Sequence, residues 1–217
     1  MADHLEIEQK FDADPDFERP GLAAVTAGVT AAAPVLHHLS ATYFDTADGR
    51  LQAAKITLRR RTGGTDAGWH LKLPAGGPSA GDARGPGGVS TRLEVHEPLE
   101  GGGSDRAGGP VVPARLASRV AEVTGGLPLA PIAILRTERT VVTLTSADGT
   151  LRAEVADDQV TARRLPETSA EPLRWREIEV EVPAADPQLQ QALADRLLAA
   201  GARPAGHGSK LGRLLSS

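Results

Sequence analysis

Cysteine is absent from this chain, and aromatic residues are scarce. Without cysteine, neither a disulfide framework nor a thiolate metal site can form. Phe, Trp and Tyr together make up 3% of the 217 residues, although 40% of all residues are hydrophobic. The chain can therefore bury a core, and that core must be built mainly from leucine, valine and alanine.

The sequence also lacks long apolar runs and a strong excess of either charge. No apolar run approaches about 18 residues, the length that a membrane-spanning helix needs, and the N-terminus has no basic segment followed by an apolar core. We therefore expect a soluble cytoplasmic protein with no membrane partner. Because the net charge is −4, the composition predicts no broad basic surface, and we expect no nucleic-acid partner.

Lysine is rare, since only four of the 24 basic residues are lysines. Arginine evidently supplies most of the positive charge, so each lysine is a stronger candidate for a specific task. Three of the four lysines, Lys10, Lys72 and Lys210, lie within the charged motifs described below.

Glycine and proline, with 24 and 16 residues, cluster in a few stretches of the chain. Residues 74–90 and 101–110 hold almost no large apolar side chain, so they cannot bury enough surface to become ordered. We predict flexible insertions at both places. The length of the chain is compatible with one large β-rich domain or with two small ones.

Residues 4–11 read HLEIEQKF, in which polar and apolar residues alternate. In a β-strand, this period of two places Glu6, Glu8 and Lys10 on one face. Such a face suits a site for a divalent cation and a phosphate, because carboxylates bind Mg²⁺ or Mn²⁺ and lysine donates to phosphate oxygens. A single triplet of this kind is more often an ordinary solvated strand face.

The same alternation returns in four later segments. Their polar faces carry Thr57, Arg59 and Arg61; His70 and Lys72; Arg92, Glu94 and His96; and Glu177, Glu179 and Glu181. A half-exposed antiparallel sheet also alternates in this way, but its outer face usually mixes both charges. Segregation of charge by strand favours a sheet that curls around a cavity, where cations hold a polyanion and carboxylates hold its metal ions. From the residues alone, both interpretations stay open.

The remaining periodicity predicts eight or nine mostly antiparallel strands with two or three helices outside them. Residues 15–38 are expected to form a loop and a short helix. Helices are predicted at 114–124 and 186–200, the second with Leu189, Leu193 and Leu197 as a stripe for packing against a sheet. Further strands are expected at 39–45, 133–145, 151–155 and 159–164.

The segment Glu6-Ile7-Glu8-Gln9-Lys10 resembles the ExExK signature of the CYTH superfamily, the triphosphate tunnel metalloenzymes. Six further segments of the chain resemble later family signatures, in the expected order. They are Tyr43-Phe44-Asp45-Thr46, Leu58-Arg59-Arg60-Arg61, Leu71-Lys72, Arg92-Leu93-Glu94, Glu177-Ile178-Glu179 and Ser209-Lys210-Leu211. ExExK alone is weakly specific, whereas the ordered set is highly specific and covers nearly the whole chain. The resemblance implies one domain, 1–217, with an α+β, mainly β fold. That fold is an eight-stranded antiparallel β-barrel that forms a tunnel open at both ends, with a few flanking helices.

The resemblance also implies roles for individual residues. The catalytic set would be Glu6, Glu8, Lys10 and Glu94. The ligands of Mg²⁺ or Mn²⁺ would be Glu6, Glu8, Asp157, Glu177 and Glu179. Phosphate oxygens would be contacted by Lys10, Arg59, Arg61, Lys72, Arg92, Arg139 and Lys210. Glu138 interrupts the basic strand of the family, which leaves open whether Arg136 or Arg139 faces the tunnel.

In function, the resemblance implies a metal-dependent hydrolase that releases orthophosphate from inorganic triphosphate, polyphosphate or an organic triphosphate. A class IV adenylate cyclase and a non-catalytic polyphosphate-binding module are the alternatives. Neither a GxSxG nor a GxxxxGK[ST] motif occurs, so a serine hydrolase or a P-loop nucleotidase has no motif support.

Residues 66–74 and the Gly-rich insertions resemble bacterial proteins in which this domain precedes a helical CHAD domain. A CHAD domain is therefore an expected partner in a longer parent chain. The present chain stops soon after Arg213, either as a free-standing member or as a piece of such a parent.

Overall fold

Twelve β-strands are present in the computed structural model of the chain, which describes residues 3–75, 89–104, 108–166, 171–183 and 186–217. They are β1 Asp3–Ala13, β2 Val29–Ala31, β3 Val35–Asp45, β4 Thr57–Thr62, β5 Gly68–Pro74, β6 Val89–Glu97, β7 Gly103–Ser104, β8 Pro110–Val111, β9 Ala130–Ser146, β10 Leu151–Arg164, β11 Leu173–Glu181 and β12 Arg203–Pro204.

Eight of these strands close into an antiparallel barrel, as predicted. They follow the order β10, β11, β1, β6, β5, β4, β3 and β9, and β9 pairs with β10 to complete the circle. The short strands β2 and β12 pair with β9 and β1, while β7 and β8 form a separate ribbon. Because side chains alternate across each strand, every barrel strand sends one set inward and one set outward.

Two segments differ from the sequence prediction. Strand β10 runs unbroken through Asp157 and Asp158, where two separate strands were expected. Each of these carboxylates binds an arginine, Arg176 and Arg139 respectively, so consecutive aspartates do not interrupt the ladder. The fully described segment 15–38 contains β2 and the start of β3 instead of a helix.

Five helices are found among the described residues: α1 Arg50–Ala53, α2 Ala114–Arg119, α3 Ala121–Thr124, α4 Pro187–Ala199 and α5 Lys210–Ser216. The predicted helix 114–124 is divided into α2 and α3 at Val120, whose backbone lies at φ −113° and ψ 6°. Helix α4 begins after Asp186, whose Oδ1 accepts a hydrogen bond from the Leu189 amide at 3.0 Å. Its buried Leu189, Leu193 and Leu197 confirm the predicted stripe.

Asp45 gives the Tyr-Phe-Asp-Thr segment a structural task. Its carboxylate is 1% exposed and accepts hydrogen bonds from the amides of Leu51 and Gln52 at 2.8 and 2.9 Å. These contacts satisfy donors at the start of α1 and hold that helix at the end of β3. Tyr43, two residues earlier, points to the inside of the barrel.

Two apolar clusters lie outside the barrel, each between the sheet and helices. One packs α4 against the outward side chains of β1, β9, β10 and β11, including Phe11, Leu144, Val155 and Ile178. The other covers Leu58, Trp69 and Leu71 with α1, α2 and α3. Both clusters lie outside the cavity that the charged side chains occupy.

The third apolar cluster lies inside one end of the barrel. Leu211 and Leu214 of α5 pack there against Leu135, Val160 and Trp175, which share the inward faces of β9, β10 and β11. The resemblance implied a tunnel open at both ends, whereas α5 packs inside this end and narrows it. The reason is the apolar face of α5, which becomes buried only inside the barrel.

The predicted insertions lie partly outside the described residues, at 76–88 and 105–107. The described part of the second one contains regular structure, namely a short 3₁₀ helix at Leu99–Gly101 and the β7–β8 ribbon. Among the helices of the described residues, none has the length and apolar character needed to cross a membrane.

Candidate functional site

A charged cavity of about 290 Å³ occupies the barrel interior beyond α5. All eight barrel strands contribute to its lining, and the inward positions of β1, β4, β5, β6 and β11 are those predicted from the alternation. The lining residues are Glu6, Glu8, Lys10, Tyr43, Thr57, Arg59, Arg61, Asp66, His70, Lys72, Arg92, Glu94, His96, Arg139, Glu154, Glu179, Glu181, Gly208, Ser209 and Lys210. Only barrel closure brings these distant residues to one place.

The cavity lysines are bound to the carboxylates that were predicted as metal ligands. Lys72 Nζ donates to Glu6 Oε1 at 2.6 Å, and Lys10 Nζ donates to Glu8 Oε2 at 2.8 Å and also to Glu179. Burial opposes ionisation of Glu8, yet Lys10 and Lys72 lower its pKa to about 2. Glu8 is therefore ionised, and each of the three carboxylates is paired with a lysine.

Lys210, the first residue of α5, binds a cluster of three carboxylates. Its Nζ lies 2.7 Å from Glu177 Oε1, 2.8 Å from Glu179 Oε1 and 2.8 Å from Asp158 Oδ2. Burial opposes its charge, but these carboxylates raise the pKa of Lys210 well above its ordinary value. The C-terminal helix thus begins inside the cavity.

Asp158, Glu177 and Glu179 also form a geometrically plausible metal site. One oxygen from each lies within 4.8 Å of the others. Three buried or half-buried carboxylates are a hard-oxygen donor set of the kind that Mg²⁺ and Mn²⁺ prefer, so the chemistry of these residues fits such an ion. Burial would raise the pKa of Glu179, but Lys10, Lys210 and Arg139 hold it well below its ordinary value.

The prediction for Asp157 needs correction. Asp157 points away from the cluster and is bound by Arg176, with Nε–Oδ1 and Nη2–Oδ2 distances of 2.9 and 2.8 Å. Asp158 occupies the inward position of β10 instead. The error is one of register, because adjacent residues of a strand face opposite sides of the sheet.

A group of arginines lines the cavity beside the carboxylates, with Arg61 buried and Arg59 and Arg139 half-buried. Arg61 is 4% exposed, and burial, followed by repulsion from Arg59 and Arg139, lowers its pKa to about 9. Arg61 pairs with Asp66, while Arg59 donates to Tyr43 Oη at a long 3.4 Å. Among the described residues, the buried Nε atoms of Arg59 and Arg61 find no hydrogen-bond partner. These two guanidinium groups lie close together and have N–H donors without an acceptor, so they are suited to bind an anion.

Arg139 resolves the alternative that the sequence left open. Its guanidinium donates to Asp158 Oδ1 at 2.8 Å and to Glu179 Oε2 at 2.5 Å inside the barrel, whereas Arg136 is exposed on the outer face. Arg139 therefore lies where the arginine group meets the carboxylate cluster. Arg92 lines the same cavity and donates to the Gly208 carbonyl at 3.2 Å.

Glu94 and His70 form a buried pair on neighbouring strands. His70 Nδ1 lies 2.7 Å from Glu94 Oε1, and His70 Nε2 lies 2.9 Å from the carbonyl oxygen of Asp66. Sequence reasoning placed His70 on the correct face but assigned it no role. It likewise assigned no role to Glu154, which lines the cavity beside the correctly oriented Glu181 and shares the inward parity of β10.

Comparison with known proteins agrees with this architecture. The family model of the CYTH domain matches residues 4–208. The uncharacterized proteins Rv2226 and MT2285 of Mycobacterium tuberculosis are each 39% identical over 228 aligned positions. That alignment covers 100% of this chain and 41% of each relative, so the chain spans about two fifths of their length.

Two solved structures share the fold. A candidate adenylate cyclase from Bacillus halodurans is 17% identical with a TM-score of 0.59, and 98% of each chain is covered. A candidate adenylyl cyclase from Hippeastrum, described as having a dominant triphosphatase activity, is 19% identical with a TM-score of 0.56, covering 97% of this chain and 95% of that one. At these identities the likeness concerns the fold alone. From the family match over residues 4–208, together with the ordered motifs and the closed barrel, this chain belongs to the CYTH domain family.

Proposed function

We propose that this protein is a metal-dependent hydrolase that releases orthophosphate from inorganic triphosphate or another small triphosphate. The observation that carries the proposal is the arginine group of Arg59, Arg61 and Arg139, which lines the cavity next to the carboxylate cluster of Asp158, Glu177 and Glu179. Unused guanidinium donors fit phosphate oxygens, and adjacent carboxylates fit the divalent ions that accompany polyphosphate. Few ligands other than a metal-bound polyphosphate would satisfy both groups together.

Each residue type has a distinct task in this proposal. The arginines bind the phosphate chain, and the lysines exchange their carboxylate partners for phosphate oxygens. The carboxylates released in this way, among them Glu6, Glu8 and Glu179, would hold Mg²⁺ or Mn²⁺. When bound, such an ion supplies charge neutralisation and lowers the pKa of a coordinated water.

The protein's own contribution to the reaction is position and charge. The fixed cations hold the terminal phosphoryl group in line with an attacking water, and they stabilise the negative charge of the leaving pyrophosphate. Glu94 lies between Lys72 and the arginines, where it can orient that water. The strands that carry these groups are rigid, so little reorganisation is needed during the reaction.

The lining of the cavity favours inorganic triphosphate over a nucleotide. The described lining residues include no aliphatic side chain, and Tyr43 is 3% exposed and faces Arg59. A cyclase needs an apolar surface for the adenine base, and the aromatic surface of the described lining is limited to Tyr43, His70 and His96. A purely binding module would need cations alone, so the carboxylate set favours catalysis.

The longer relatives suggest a further element of the proposal. This chain covers 41% of their length, which leaves room for a second domain in a parent chain of the same kind. We propose that such a domain is of the CHAD type, because residues 66–74 resemble CYTH domains that precede one. Deletion or addition of the second domain would then change polyphosphate binding more than triphosphate turnover.

Release of orthophosphate from tripolyphosphate, with Mg²⁺ and with Mn²⁺, tests the proposed function directly. We expect metal-dependent turnover, and a loss of about a hundredfold or more in Glu179→Gln, which keeps the side-chain size and removes a ligand charge. Glu138→Gln, on the exposed outer face of β9, is the matched control and should keep parental turnover. Cyclic AMP formation from ATP without phosphate release would instead support the cyclase.

A further inference from the structure

His70 is held between two oxygen atoms inside the barrel. It is 3% exposed, and its ring nitrogens face Glu94 Oε1 at 2.7 Å and the Asp66 carbonyl oxygen at 2.9 Å. Both distances are those of good hydrogen bonds. The imidazole therefore bridges strand β6 and the turn that joins β4 to β5.

Counting protons restricts the state of this pair. The Asp66 carbonyl can only accept, so His70 Nε2 must carry a proton. Nδ1 then either accepts a proton from a neutral Glu94 carboxyl or donates one to an ionised carboxylate. In both cases one proton lies between Nδ1 and Oε1. A neutral imidazole beside an ionised Glu94 would bring two lone pairs together at one of the two contacts.

Charged groups surround the pair from every strand that packs against it. Arg59 and Arg61 of β4 oppose a further positive charge on the imidazole, and burial also lowers the pKa of His70. Lys72 Nζ lies 4.0 Å from Glu94 Oε2 and favours the ionised carboxylate. The His96 ring of β6 lies 4.8 Å from the His70 ring. Burial and these cations favour loss of the shared proton, whereas the two oxygen contacts of the imidazole, each of which needs a donor, retain it.

The same turn connects the pair to the phosphate-binding side of the cavity. Asp66 accepts from His70 through its carbonyl and pairs with Arg61 through its carboxylate. His70 is thus tied on one side to Glu94 and on the other to a turn that also positions an arginine. Its location suits control of Glu94, because its own Nε2 is occupied by the turn and cannot reach a substrate.

We propose that His70 is the positioning residue for Glu94. It shares one proton with this carboxyl and thereby fixes its orientation and protonation at the place where triphosphate would react. The inference rests on the proposed function, since it concerns how Glu94 acts during hydrolysis. The shared proton itself is a property of the free protein and can be measured without any substrate.

Two variants separate positioning from mere structural support. In His70→Asn the amide nitrogen lies near the position of Nδ1 and can donate to Glu94. In His70→Gln it reaches towards the position of Nε2 and can donate to the Asp66 carbonyl, so Glu94 loses the hydrogen bond from residue 70. With tripolyphosphate, we expect His70→Gln to lose about tenfold to hundredfold in kcat, the effect of one charge-assisted hydrogen bond, with KM changed much less.

His70→Asn should recover most of that kcat, while the ionisation contributed by the pair disappears from its pH–rate profile. Equal losses in both variants with an unchanged pH profile would reduce His70 to a structural residue. Parental kcat in both would also overturn the proposal.

Nitrogen-15 NMR of the His70 ring in the substrate-free protein gives an independent result. We expect a protonated Nε2 throughout the neutral range, and an Nδ1 resonance that shifts when Glu94 is replaced in Glu94→Gln. An unprotonated Nε2 would overturn proton sharing even if tripolyphosphate is hydrolysed. Conversely, a shared proton in a protein that does not hydrolyse tripolyphosphate would count against the proposed function and not against the pair.

Discussion

At the scale of single residues, the four lysines divide into two kinds. Lys10, Lys72 and Lys210 are bound to carboxylates inside the barrel, whereas Lys55 is exposed outside it. Scarcity of lysine was therefore a useful indication, because the cavity uses three of the four. The compact ammonium group can move from a carboxylate to a phosphate without the planar geometry that a guanidinium requires.

Replacing Lys210 tests the contribution of α5 to the site. Lys210→Gln removes a charged donor from three carboxylates, so we expect kcat/KM for tripolyphosphate to fall about tenfold to hundredfold. Lys55→Gln, the matched control, should stay within about twofold. Parental efficiency of Lys210→Gln would show that this lysine does not take part in substrate binding.

Glu181 makes the stability of the metal-free protein depend on pH. Burial, then repulsion from Glu6, raises its pKa from 4.5 to about 7. The folded protein therefore retains a proton that the unfolded chain releases, and the free energy of unfolding decreases as the pH rises from about 4.5 to about 7. Below this pH window the stabilisation from the proton on Glu181 is fully present, and above the window this stabilisation is completely lost.

Glu181→Gln should remove this dependence. Between pH 5 and pH 8, we expect the wild type to lose roughly 2 kcal/mol relative to this variant in urea unfolding, without metal. Glu138→Gln, an exposed carboxylate on β9, should follow the wild type. If the free energy of unfolding of Glu181→Gln and of the wild type changed with pH in the same way, the raised pKa of Glu181 would be contradicted.

At the scale of elements, α5 has both an apolar and a polar attachment. Leu214 is 3% exposed inside the barrel end, and Arg164 donates to its carbonyl oxygen at 2.7 Å. Leu214→Ala should therefore cost about 2–4 kcal/mol of unfolding free energy, as a cavity in a packed core does. Leu198→Ala, on the exposed side of α4, should cost less than about 0.5 kcal/mol in the same urea titration. A small effect at Leu214 would indicate that α5 is only loosely held.

At the scale of the whole molecule, the paired charges of the cavity couple metal binding to anion binding. A divalent ion that binds alone must displace lysines from their carboxylates, and the displaced lysines are then left unpaired. An anion that binds alone must draw the lysines away from the carboxylates, and the carboxylates are then left unpaired. We expect Mn²⁺ alone and a non-hydrolysable triphosphate analogue alone to raise Tm slightly. Together they should raise it by roughly 5–10 °C, more than the sum of the two shifts. Additive shifts would exclude such coupling.

The inward faces of β1, β4, β5, β6 and β11 were predictable from their alternation, and the closed barrel was predictable from the ordered family motifs. Two features were not predictable. Asp157 and Asp158 are adjacent, and the apolar side chains of β10 change face at this point, since Val155 packs outward and Val160 packs inward. Helix α5 is short and contains Gly212, so its local sequence is a weak helix signal until Leu211 and Leu214 find the barrel end.

The position of α5 determines how a linear polymer could be used. With α5 packed inside one end of the barrel, a phosphate chain would enter the cavity from the other end, by a terminus. For a fixed mass of polyphosphate, lengthening the chains lowers the number of termini in solution. The protein would therefore respond to the molar concentration of chain ends, and long polymers would be poor substrates per phosphate unit even if every terminus bound equally well.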